Sequence, residues 1–125
     1  MTPDERLRKR ERLLRPKDFR LVYKKGRAFY GPDGKRAGIV LCRLPNGLGN
    51  SRIGFSISTR NIKLATRRNR IRRLFREVFR RNKRGLKAGF DIVIIVKKEP
   101  ERTQVSYKET EGIFFKLAKE AGILA

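Results

Sequence analysis

Between Thr66 and Lys83 the apolar side chains fall at Ile71, Leu74, Phe75, Val78 and Phe79, three and four residues apart. At about 100° per residue these positions share one stripe, which predicts an amphipathic helix with that stripe against a core. A shorter helix is predicted over Lys17–Lys25, with Phe19, Val22 and Tyr23 on one edge, Pro16 in the first turn and Gly26 as a C′ glycine. Residues 1–15 are charged and aperiodic, and read as a flexible basic arm. Two strands are predicted at 27–31 and 37–44, followed by the turn signals Pro32-Asp33-Gly34 and Pro45-Asn46-Gly47. Over 52–58 the chain alternates, sending Ile53, Phe55 and Ile57 to one side and Arg52, Gly54, Ser56 and Ser58 to the other. The β-branched run Ile92–Val96 within 90–98 has the pattern of a buried central strand. Ser106-Tyr107-Lys108-Glu109 fits a capping box that opens a last helix, with Tyr107, Thr110, Phe114, Leu117, Ala118 and Ala121 as its stripe. Gly112 inside that helix costs roughly 1 kcal/mol relative to Ala.

This order of elements implies one α+β domain spanning 1–125: a two-layer α/β sandwich of a four-stranded mixed sheet and three helices. Strand 52–58, helix 66–83 and strand 90–98 form a β-α-β crossover, so those strands run parallel. The two later helices are expected to cover the face made by Ile53, Phe55 and Ile57. The face bearing Ser56 and Ser58 is then an open groove with a polar floor beside Phe19 and Tyr23.

Charge changes what this fold is for. The 125 residues carry 34 Lys plus Arg against 12 Asp plus Glu, a formal net charge of +22. Helix 66–83 sets Asn69, Arg72, Arg73, Arg76 and Arg80 opposite its apolar stripe, with Arg68, Lys83, Arg70 and Arg81 on the flanks and Glu77 as its single acid. Like charges at i,i+4 repel by a few tenths of a kcal/mol, so such a face is best explained by a polyanion that neutralises it.

Other chemistry is excluded by residue type. The chain has no His, which removes an imidazole base, His-containing zinc sites and Ser-His-Asp or Cys-His arrangements. The acids are scattered (Asp18, Asp33, Asp91, Glu99, Glu101), and no glycine-rich phosphate loop occurs. Cys42 is alone and can form no internal disulfide. No stretch approaches the ~18 apolar residues of a membrane span. A protein of a reducing compartment, without membrane association, is expected.

The run Ala65-Thr66-Arg67-Arg68-Asn69-Arg70-Ile71-Arg72-Arg73, followed by Arg76-Glu77 and Phe79, resembles the signature helix of the bacterial ribonuclease P protein subunit. Arg12-Leu13, Asp18-Phe19 and Tyr23-Lys24-Lys25-Gly26 resemble that family's opening helix. Ser51–Ser58, Gly89–Val93 and Ser106–Glu109 resemble its later strands and last helix, so the likeness spans nearly the whole chain.

The resemblance implies the protein part of a ribonucleoprotein endonuclease that removes the 5′ leader of precursor tRNA. Mg²⁺ would be held mainly by the catalytic RNA, and no catalytic side chain would come from the protein. It implies that Arg60, Lys63, Arg67, Arg68, Asn69, Arg72, Arg73, Arg76 and Arg80 contact the catalytic RNA. It further implies a leader groove lined by Phe19, Tyr23, Val40, Cys42, Arg52, Ser56, Ser58 and Lys97. A monomer bound one-to-one to its RNA in the bacterial cytoplasm would follow, as would a left-handed crossover where general chirality favours a right-handed one. The chain departs from the family pattern at Lys63-Leu64-Ala65, at Thr59 and Asn61, where basic residues are common, and at Cys42, where an aromatic is frequent. Residue types alone also allow Phe19 and Tyr23 to be packing residues and Asn69 a first-turn residue. A ribosomal protein of the same fold and a duplex-DNA module are the rival functions.

Overall fold

The computed structural model describes residues 7–31, 38–98 and 106–125. Helix α1 (Pro16–Lys25) leads into β1 (Arg27–Phe29), β2 (Ile39–Pro45) and β3 (Arg52–Ile57). Helix α2 (Ala65–Asn82), strand β4 (Phe90–Val96) and helix α3 (Tyr107–Glu120) follow. The predicted order of elements is therefore found, with no end moved by more than two residues. The turn signal at 32–34 lies outside the described residues.

The sheet order is β1-β2-β4-β3. β1 and β4 each pair antiparallel with β2, while β3 and β4 are parallel neighbours joined through α2, as the crossover requires. The apolar run 92–96 has a simple cause: β4 is central and covered on both faces.

Alternation divides the core in two. Ile39, Leu41, Ile53, Ile92, Ile94 and Val96 meet Ile71, Phe75, Val78 and Phe79 of α2 and Phe114, Leu117 and Ala118 of α3. On the opposite face Val40, Cys42 and Val93 pack with Val22 of α1 and with Leu13. Ser106 caps α3 by accepting a hydrogen bond from the Glu109 amide at 3.2 Å. Gly112 is exposed with open space around it, so α3 tolerates it on its outer side.

Two expectations need correction. Residues 7–15 of the expected arm belong to the fold; residues 1–6 lie outside the described residues. The Leu13 amide donates to the Ile53 carbonyl at 2.9 Å, Arg12 forms a parallel bridge with Ile53, and Leu13 is buried. Glu11 is buried as well, with both carboxylate oxygens 3.1 Å from Lys83 Nζ beyond the end of α2. The chain there follows the outer edge of β3, satisfying backbone groups an edge strand leaves open. Gly26 does end α1, but at φ −81°, not in the left-handed region. A Cβ on it would lie 2.4 Å from the Val22 carbonyl oxygen and 2.7 Å from that of Arg43, so close backbone approach is what requires glycine.

Candidate nucleic-acid interface

The basic face is displayed because the opposite side of α2 is fixed. Ile71, Phe75, Val78 and Phe79 are buried, while Arg67, Asn69, Arg70, Arg73 and Arg76 are exposed. Arg60 and Lys63 are exposed in the loop before the helix. Arg72 is half-buried and donates from Nη1 to Asn69 Oδ1 at 2.9 Å, which holds that guanidinium along the helix surface.

Two of the expected RNA contacts are committed within the protein. Arg68 Nη1 donates to the carbonyls of Ile62 (2.6 Å) and Lys63 (2.9 Å), tying down the loop that enters α2. Arg80 grips the carboxylate of Glu77, with Nε 3.0 Å from Oε2, and its side chain is largely buried. Arg81 Nε reaches Glu77 Oε1 at 3.0 Å. Hydrogen bonds from Arg80 and then from Arg81 hold the Glu77 carboxyl below its ordinary range, outweighing its partial burial. The helix's one acid thus offsets part of the charge at its C-terminal end and leaves the middle without an acid. Asn61, in the loop, donates from Nδ2 to the Lys97 carbonyl at 2.7 Å and is a scaffold residue.

On the other side of the sheet, residues 91, 93, 95 and 97 of the β4 segment share a face with Arg52, Gly54 and Ser56 of β3. Phe19 reaches across from α1 to Gly54: a Cβ on that glycine would stand 2.5 Å from Phe19 Cζ and 3.0 Å from Leu13 Cβ. Tyr23 lies one turn further along α1, its ring 6.4 Å from that of Phe19 and tilted by 53°. Tyr23 is 45% exposed, which leaves aromatic area open to solvent. Ser56, Ser58 and Ile95 are half-buried and Lys97 is exposed, giving a floor with polar, apolar and cationic groups.

Three expected groove residues are held by contacts within the protein. Val40 and Cys42 are on the right face but lie buried in the cluster with Val22. Burial pushes the Cys42 thiol up, with the Lys97 charge acting in the opposite direction. Arg52 forks onto Asp91, with Nε 2.8 Å from Oδ1 and Nη2 2.6 Å from Oδ2, and lies 3.7 Å from Asp18 of α1. Those hydrogen bonds raise the Arg52 pKa despite desolvation. Ile95 shares this face and is absent from the expected lining, although strict alternation from Asp91 places it there.

Among the described residues no group of three His, Cys, Asp or Glu could hold a metal ion, and no helix is long and apolar enough to cross a membrane.

Comparison with known proteins places this geometry. The family model described as Ribonuclease P matches residues 7–122. The ribonuclease P protein component of Thermotoga maritima is 42% identical over 95 residues, covering 76% of each chain. That of Pseudomonas paraeruginosa is 43% identical over 90 residues, covering 70% of this chain but 62% of the relative's length. Among solved structures, the RNase P protein of T. maritima superposes with a TM-score of 0.71 at 33% identity, covering 88% of this chain and 96% of that one. The Staphylococcus aureus protein, at 23% identity and a TM-score of 0.76, covers 92% and 98% and shares the fold. A family model spanning nearly all of the described chain, with a relative this similar over three quarters of both sequences, settles the assignment: this chain belongs to the ribonuclease P protein family.

Proposed function

We propose that the chain is the protein subunit of a bacterial, cytoplasmic ribonuclease P. In this reading it docks on the catalytic RNA through α2 and holds the 5′ leader of precursor tRNA in the groove beside α1. It is a monomer, one copy per RNA. The observation that carries the reading is the middle of α2, where Arg72, Arg73 and Arg76 stand outside a buried apolar stripe with no carboxylate paired to them among the described residues. Guanidinium forks match phosphate oxygens, and neutralising phosphates releases counterions from the RNA.

Hydrolysis is assigned to the RNA. Asp91 and Asp18, the acids on the groove face, both face Arg52 and are not arranged as a cation site. The donor set on the described chain therefore does not fit Mg²⁺, and the ion belongs to the RNA in this reading. The protein's part is to bind, orient and screen two polyanions from one another. The Phe19–Tyr23 pair suits unpaired bases, since stacking on aromatic rings contributes ~1–3 kcal/mol per base and tolerates any sequence.

Adding the purified chain to a bacterial ribonuclease P RNA should lower the Mg²⁺ concentration needed for leader removal. An unchanged Mg²⁺ requirement would overturn the proposal. Within the groove, Phe19→Ala should weaken binding of leader-bearing tRNA by roughly tenfold while sparing mature tRNA. Fluorescence titration of the two substrates on the assembled particle measures this, and equal weakening of both would remove Phe19 from leader recognition.

A further inference from the structure

The segment before α1 runs along β3 and is tied to Lys83 just beyond the end of α2, and its register decides which side chain faces which site. Bridge partners in a sheet point to the same side, so Arg12, paired with Ile53, projects toward the face that α2 covers. Its neighbour Leu13 turns the opposite way, into the cluster beside Gly54 and Val22. Glu11 fixes the position of both through its two 3.1 Å contacts to Lys83 and by accepting the Arg8 amide at 3.0 Å. Arg12 is thereby delivered to the side of α2 that carries Arg72 and Arg76.

Arg76 lies within reach of the charges of the other two. Burial, then the charges of Arg12 and Arg72, depress the pKa of Arg76. No carboxylate relieves them: among the described residues none pairs with Arg12, Arg72 or Arg76. The two acids nearest in sequence are engaged elsewhere, Glu77 by Arg80 and Arg81 and Glu11 by Lys83. Arg12 is exposed and makes a single long hydrogen bond to the Leu7 carbonyl, 3.4 Å, which does not need a guanidinium. A fold that pins two elements together, only to bring three unneutralised cations close, is storing repulsion that an anion would relieve.

We infer that Arg12 completes, with Arg72 and Arg76, a seat for a phosphate group of folded RNA. The inference rests on the functional reading above and extends it: the docking face is built from two elements, the helix and the segment along β3. Because Leu13 follows Arg12 directly, the residue that meets the RNA is continuous with the residue that backs Phe19 in the groove.

The test is a salt series of binding constants for a bacterial ribonuclease P RNA with the wild-type chain, Arg12→Gln and Arg12→Lys, each with its thermal midpoint. Arg12→Gln should weaken binding roughly tenfold at physiological salt and flatten the slope of log K against log salt by about 0.7–0.9, with little change in melting. Arg12→Lys should keep the slope. With Arg76→Gln as background, the loss caused by Arg12→Gln should shrink, because both side chains serve one phosphate. An unchanged slope in Arg12→Gln, or a slope lost equally in Arg12→Lys, would overturn the inference. Failure of the wild-type chain to prefer this RNA over duplex DNA would count against the functional reading instead.

Discussion

Replacing Asp91 by Ala should destabilise the fold by roughly 3 kcal/mol, a large part of the 5–15 kcal/mol typical of a domain. Asp91 is 3% exposed and accepts three hydrogen bonds: two from Arg52 and one from Asn46 Nδ2 at 2.9 Å. Removing the carboxylate leaves a partly buried guanidinium with Asp18 alone, at 3.7 Å. It also loosens Asn46, whose Oδ1 accepts the Leu48 amide at 2.8 Å and so shapes the turn between β2 and β3. The low end of the range for broken buried pairs applies because the Arg52 side chain remains 24% exposed and water can reach it. Asp91→Asn keeps acceptor capacity and should cost less than half as much. Urea titrations with an unchanged m-value measure both variants. A loss below about 1 kcal/mol in Asp91→Ala would mean that the Arg52 network contributes little to holding β3, β4 and α1 in register.

The consequence for function runs through α1. Arg52 is the side chain that connects β3 and β4 to Asp18, one residue before Phe19. A destabilised Asp91→Ala chain should therefore also lose leader discrimination, even at temperatures where it stays folded.

What could be read from the sequence follows the range of the physics involved. The α2 stripe, the central β4 run and the Ser106 cap are local, set by residues within a turn or two of one another, and all three are present in the structure. The segment 7–15 has no periodicity of its own, so its sequence alone gives an arm. Its order comes from one backbone bridge to Ile53 and one ion pair to Lys83, residues 41 and 72 positions away from their partners Arg12 and Glu11. The resemblance implies Val40 and Cys42 as groove residues, but nothing local to β2 says that Val22 covers them. For Arg52, Arg68 and Arg80 the charge was legible and its use was not. The partner of Arg52 is fixed by tertiary placement and those of Arg68 are backbone carbonyls, neither of which composition shows, whereas Arg80 meets Glu77 three residues back on its own helix, a pairing that spacing allows but does not choose over an outside anion.

That distinction selects the variant that tests the docking face. Replacing Arg72 and Arg73 together by Ala should reduce affinity for the catalytic RNA roughly a hundredfold and flatten the log K against log salt slope by about 1.4–1.8, the effect of two phosphate contacts. Arg68 is unsuitable, since its loss would release the Ile62 and Lys63 carbonyls and shift the loop into α2. Arg80 is unsuitable for the same kind of reason, being gripped by Glu77. Arg73 is exposed, and Arg72 bonds only to the Asn69 side chain on its own helix, so neither holds two elements together. Ala is the better helix former, and removing Arg72 lifts its repulsion with Arg68 and Arg76 at i,i+4, so the thermal midpoint should hold or rise slightly. Salt-dependent binding and melting measured on the same preparation separate the two roles. A double variant that melts early while keeping the wild-type slope would show that these arginines support the helix and that the RNA docks elsewhere.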